Sequence, residues 1–155
     1  MDALNKIQYF ETWAASYRKD LTQNIMPFWM KHGWDQVHGG VYTCVDRDGS
    51  LMDTTKSVWF QGRFAFVCAF AYNNVEHNEE WLKAAKSTLD FIEKYCFDED
   101  GHMYFSITDD GRPLRKRRYV FSETFAAIAM SEYALATGDM SYAKKAIKVF
   151  EDTQR

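Results

Sequence analysis

The sequence lacks any run of eighteen or more apolar residues, so no segment has the form of a membrane helix. Its opening, MDALNKIQYFETW, has no signal-peptide pattern. Cysteine is scarce: Cys44, Cys68 and Cys96 are an odd, widely spaced set without CxxC. The expectation is reduced, buried thiols in a cytoplasmic protein. His32, His38, His77 and His102 form neither HxxxH nor HExxH, so no metal site is expected. Charge is also nearly balanced, at a formal −3, which argues against wholesale nucleic-acid binding.

What is present is apolar and aromatic. Hydrophobic residues make up 46% of the 155, and aromatics 17%, enough for one domain with a real core spanning residues 1–155. From about residue 4 to 30, Leu4, Ile7, Phe10, Trp13, Tyr17, Leu21, Ile25 and Phe28 recur at three- and four-residue steps among polar neighbours. This predicts a one-sided helix. Residues 79–96 repeat the pattern through Trp81, Ala85, Leu89, Ile92 and Cys96, and a third such helix starts near Asp139.

Residues 56–73 and 118–136 differ, being apolar nearly all the way round, which predicts helices enclosed by protein. Before each enclosed helix lies a hairpin signal, GGVYTCVDRDGSLMD and GHMYFSITDDGRPLR, with Asp48-Gly49 and Asp110-Gly111 as turn dipeptides. The two blocks are copies at an offset of 62: Tyr42 meets Tyr104, Val58 meets Val120, Trp59 meets Phe121 and Gln61 meets Glu123. Outer one-sided and inner enclosed helices in a repeat of this length predict an all-α fold, an α/α toroid of helical hairpins with short β-hairpins between helices. A ring of six units would need roughly 370 residues, so this chain corresponds to about two and a half repeats, an incomplete (α/α)6 barrel. Inner helices of such an array should expose apolar surface, and self-association, for instance as a homodimer, is expected.

Chemistry is expected at the N-terminal turns of the inner helices, where backbone N–H groups and the helix dipole favour an oxyanion. Trp59, Arg63, Phe66 and Phe70 share one face there by their spacing. Aromatic walls with a few polar groups suit a sugar-sized ligand. The alternative for Arg63 is a structural bridge to Glu123 or another inner-helix carboxylate, because a buried Arg must be paired. Trp59 and Phe121 also read as core. The basic run Arg112, Arg115, Lys116, Arg117 and Arg118 reads as a solvated charge run.

Two stretches, WDQVHGGVYTCVDRDGSLMDTTKSVWFQGRFAF and NEEWLKAAKSTLDFIEKYCFDEDGHMYFSITDDGRPLRKRRYVFSETFAA, resemble the N-acylglucosamine 2-epimerase family in the right order over nearly the whole chain. That family includes cellobiose 2-epimerases and related aldose–ketose isomerases. The resemblance implies epimerisation or isomerisation of a reducing sugar through a cis-enediolate, with no cofactor. It implies that Arg63 in QGRF is the catalytic Arg that stabilises the enediolate, and that Tyr119 in RRYVFSE contacts substrate. Trp59 and Glu123 are further substrate-binding candidates, placed by helix face. The family's two acid/base histidines lie in later repeats, and no histidine here corresponds to either. The 155-residue chain by itself is therefore expected to be inactive. Competing readings are a fragment of an (α/α)6 glycoside hydrolase or lyase, which would need a carboxylate pair where only Glu123 is offered, and a non-catalytic helical interaction module.

Overall fold

The structure, a computed structural model, describes residues 3–116 and 120–154. The chain begins with one continuous helical path: α1 (Ala3–Asp20), a π-helical turn (Leu21–Ile25) and α2 (Met26–His32). The single helix expected over residues 4–30 is thus interrupted by a wider turn, which changes the phase of its apolar face. Met26, beyond the turn, is buried in the core, whereas Phe10 and Tyr17 before it are each 68% exposed. On α1 the Tyr9, Trp13 and Tyr17 rings instead lie against one another, with centroids 6.2 and 5.6 Å apart. The end of α1 is tied down by Arg18, whose Nη1 donates to the Val75 carbonyl at 2.8 Å.

The inner helices are α3 (Val58–Asn74) and α5 (Phe121–Thr137); the outer ones are α4 (Glu79–Tyr95) and α6 (Met140–Asp152). The alternation read from the sequence therefore holds, with one correction. Lys56 and Ser57 are not helical but form strand β3, because the Val58 N–H donates to Phe105 O and draws the segment onto the second hairpin. Val120 likewise precedes α5 rather than lying within it. Each outer helix is started by a side chain: Asn78 accepts from Glu80 N–H at 3.0 Å, and Asp139 from Ser141 N–H at 2.9 Å. Glycine at 138, with φ of 72°, closes α5.

The two inner helices pack directly on each other through small residues. Ala65, Ala69, Ala126 and Ala129 are fully buried, and Gly62 permits the closest approach. A Cβ at Gly62 would lie 2.7 Å from the Phe125 carbonyl carbon and 2.8 Å from the Ala126 nitrogen. Small side chains shorten the distance between helix axes, which is why alanine fills the intervals between the aromatics. Trp81, Leu89 and Ile92 of α4 close the core from outside. The inner helices keep apolar residues uncovered, as expected: Phe121 is 64% and Leu135 73% exposed.

Both hairpins form. Strands β1 (Cys44–Val45) and β2 (Leu51–Asp53) pair antiparallel around Asp48-Gly49, and β4 (Ser106–Ile107) pairs with β5 (Pro113–Arg115) around Asp110-Gly111. Strand β3 (Lys56–Ser57) adds to β4, so the first inner helix emerges directly from the second repeat's sheet. This cross-repeat pairing has no signal in either hairpin taken alone. Cys68 and Cys96 are buried, and burial pushes both thiols up, but Cys44 is exposed on β1, against the expectation that all three are buried. None of the described helices is long and apolar enough to cross a membrane.

Candidate active site

The repeat extends to single hydrogen bonds. In the first copy Trp34 and Val41 form an isolated bridge, and in the second Phe97 and Met103 do. At each bridge, one inner-helix side chain grips the bridge's second residue. Gln61 is fully buried: its Oε1 accepts from Val41 N–H at 2.7 Å, and its Nε2 donates to Val41 O at 2.9 Å and Ser57 O at 3.2 Å. Glu123 is also buried and accepts from Met103 N–H at 2.8 Å, while its Oε2 has no hydrogen bond. His102 Nδ1 lies 3.9 Å from the bonded oxygen. Glu123, expected by helix face to meet substrate, thus holds backbone and does not bridge to Arg63.

A second device is a buried ion pair. Lys56 is fully buried, and its Nζ donates to Asp35 Oδ2 at 2.7 Å, Gly39 O at 2.7 Å and Asp109 O at 3.0 Å. It also sits 4.3 Å from the Phe91 ring centroid. The other Asp35 oxygen accepts from the Val37 and His38 amides. Burial acts to raise the Asp35 carboxyl, but Lys56 and the two amides outweigh it and hold the group below its ordinary value. Burial lowers Lys56 in spite of its partner. The Tyr42 hydroxyl is pushed up to about 12, first by burial and then by the Asp35 charge. Tyr104, its counterpart, donates to Asp98 at 2.9 Å, where Lys116 also binds, but this second set lies nearer the surface.

Arg63 stands two residues beyond Gln61 on α3 and faces the other way, exposed. Its guanidinium lies 5.8 Å from the Trp59 ring centroid, and Phe66 and Phe70 continue the same face 5.5 Å apart. Among the described residues no carboxylate pairs with it. It borders a cavity of about 400 Å³ walled by Met26, Trp29, Tyr42, Phe60 and Phe64. The Trp59 ring meets Phe60 and Phe125 at 4.1 and 5.7 Å, joining the two inner helices at this end. Tyr119 lies outside the described residues. Sequence reasoning did not foresee Tyr42 or Trp29 as walls; the only signal for Tyr42 was its match to Tyr104 in the repeat.

None of the four histidines falls on an inner helix: His32 ends α2, and His38, His77 and His102 are in connections. The described residues hold no cluster of three or more His, Cys, Asp or Glu able to bind a metal. In the basic run, Arg112 pairs with Asp110, and Lys116 with Asp98 and Asp100, while Arg117 and Arg118 lie outside the described residues.

The model of the N-acylglucosamine 2-epimerase family matches residues 18–155. The chain belongs to that family. It is 35% identical over 145 residues to the N-acylglucosamine 2-epimerase of Rattus norvegicus, covering 91% of this chain and 34% of the relative. A cellobiose 2-epimerase of Ruminococcus albus is 31% identical over 143 residues, with 91% and 36% covered. The solved cellobiose 2-epimerase of Bacillus thermoamylovorans superposes with a TM-score of 0.82 at 26% identity, covering 91% of this chain and 36% of that one. The chain thus spans about a third of the length of the relatives it matches. Its two and a half hairpins are an incomplete turn of an α/α toroid, as the repeat period indicated.

Proposed function

We propose that the chain contributes the first inner-helix wall of a sugar 2-epimerase or isomerase pocket, in which Arg63 stabilises an enediolate. The observation that carries this reading is the guanidinium of Arg63, without a carboxylate partner among the described residues and 5.8 Å from the Trp59 ring centroid at the edge of an aromatic cavity. An exposed cation without a carboxylate among the described residues is available to an anion, and the ring face beneath it helps to hold it in place. The reaction is cofactor-independent epimerisation at C2 of a reducing sugar such as an N-acylglucosamine. Removal of the proton α to the carbonyl leaves negative charge on the C1 and C2 oxygens, and a fixed cation beside them lowers that barrier. Trp59 offers a ring face to the sugar's apolar side. Tyr119 is retained as a substrate contact through its motif.

The chain alone is inactive on this reading, because no histidine stands on an inner helix to move the proton. Assays of the 155-residue chain on N-acetylglucosamine, N-acetylmannosamine, glucose, mannose and cellobiose should show no turnover; clear turnover would refute this. A chimera in which the chain replaces the matching third of the rat epimerase tests Arg63 itself. There Arg63→Ala should lower kcat/KM by about 10²-fold or more, with unfolding unchanged. Unchanged kinetics with lowered stability would make Arg63 a structural residue.

A further inference from the structure

We propose that Gln61 is the positioning residue of this site: its carboxamide fixes residues 40–42 against α3 and so sets the Tyr42 wall beside Arg63. The proposal rests on the sugar-pocket reading above. Gln61 closes both backbone groups of Val41, N–H at 2.7 Å and C=O at 2.9 Å, as a neighbouring strand would. Its third bond, to Ser57 O at 3.2 Å, ties the same amide to the base of α3. Tyr42 follows directly, with its N–H on Gly33 O at 2.8 Å, and both Val41 and Tyr42 line the cavity with Arg63. The loop runs so close that a Cβ at residue 40 would lie 2.5 Å from Gln61 Oε1, and the φ of +77° there independently requires glycine. One helical turn thus presents the cation outward and holds the opposing wall inward.

The second repeat supplies the control. Glu123 occupies the position of Gln61, and Met103 that of Val41. A carboxylate has no N–H to give, so Met103 is held through its N–H alone, and the second oxygen of Glu123 is left without a hydrogen bond. The wall beside Arg63 is gripped by two bonds where its copy is gripped by one. A merely structural clamp would serve both repeats alike, whereas the fuller grip falls on the loop that lines the Arg63 cavity.

Gln61→Glu imposes the second-repeat pattern on the first. The experiment records amide exchange of Val41 and the Tyr42 ring resonances by NMR, and titrates the chain with N-acetylglucosamine, all well below the melting temperature of each protein. The expected result is Val41 exchange faster by at least about tenfold, shifted or broadened Tyr42 resonances, and sugar affinity weakened by about tenfold, since a lost buried hydrogen bond frees the segment locally. The reciprocal Glu123→Gln should slow exchange at Met103. Unchanged Val41 exchange or unchanged Tyr42 resonances in Gln61→Glu would overturn the proposal. So would a loosened loop that binds sugar as well as the wild type. If the wild type shows no saturable sugar binding, the sugar reading fails by itself, and the Val41 and Tyr42 readouts alone decide whether Gln61 positions the wall.

Discussion

Replacing Lys56 by methionine should lower the free energy of unfolding by about 3 kcal/mol, because it removes the ammonium from the buried Asp35 carboxylate and leaves it two backbone amides and His38 Nδ1 at 3.4 Å. Methionine fills much of the same volume, so packing is largely preserved and the loss reports on charge and hydrogen bonding. Three acceptors lose their donor at once: the Asp35 carboxylate and the carbonyls of Gly39 and Asp109. These belong to the loop after α2 and to the second hairpin, so the same side chain joins the two repeats. Asp35→Asn should cost less than Lys56→Met, since an amide still bonds the ammonium. The double variant Asp35→Asn, Lys56→Met should be less destabilised than the sum of the two singles, as expected for groups in contact. Chemical denaturation at neutral pH measures all three. A loss below about 1 kcal/mol in Lys56→Met would show the pair to be energetically idle.

The pair also sets a pH signature. The Asp35 carboxyl lies below its ordinary value in the folded chain, so the unfolded chain takes up the proton first as pH falls. Its contribution is therefore complete above the ordinary carboxyl pKa of 3.8 and is lost as pH drops through the lower folded value. In Asp35→Asn that part of the acid limb should flatten.

The second large effect is expected at Gly62. Gly62→Val should cost about 3 kcal/mol or more, and Gly62→Ala less, because each branch point drives α3 and α5 apart. The atoms in the way are backbone, the Phe125 carbonyl carbon and the Ala126 nitrogen, which cannot rotate aside as a side chain can. Alanine regains part of its steric cost as helix propensity, roughly 1 kcal/mol relative to glycine. Valine gains less and adds two methyl groups. Thermal and denaturant unfolding with far-UV circular dichroism check the order Gly, Ala, Val. Equal stability for all three would mean that the inner helices can separate without loss, and would refute their close packing at Gly62. Loss of helix contact at Gly62 should also disturb the Trp59–Phe125 pair one turn away, and with it the support beneath Arg63.

Much of the architecture was legible because it depends on periodicity. The aromatics of α3 and α5 fall on all sides, and those of α4 and α6 on one, so enclosure and exposure could be read directly. The hairpin turns were legible because Asp-Gly pairs permit positive φ, and Gly49 and Gly111 adopt 89° and 93°. Arg63 was legible as an awkward charge on an enclosed helix. The role of Glu123 was not: it was plausible as an ion-pair acceptor for Arg63 or as a substrate ligand, and it does not bridge to Arg63. It accepts from Met103 N–H, a contact between residues twenty positions apart that no local pattern announces.

The sequence by itself determined the repeat and the alternation of helix types, because these follow from local spacing and turn chemistry. Tertiary structure decided which polar side chains turn inward. Gln61 and Arg63 are two positions apart on one helix and equally polar in a sequence, yet one is fully buried and the other exposed. A turn of about 100° per residue separates their directions, and only the loop packed against one side makes that direction interior. The pairing of β3 with β4, and the reach of Lys56 across both repeats, likewise arise from contacts between segments distant in the chain. KSVWFQGRF thus carries a strand, a clamp and a cation, and the fold assigns each residue to its part.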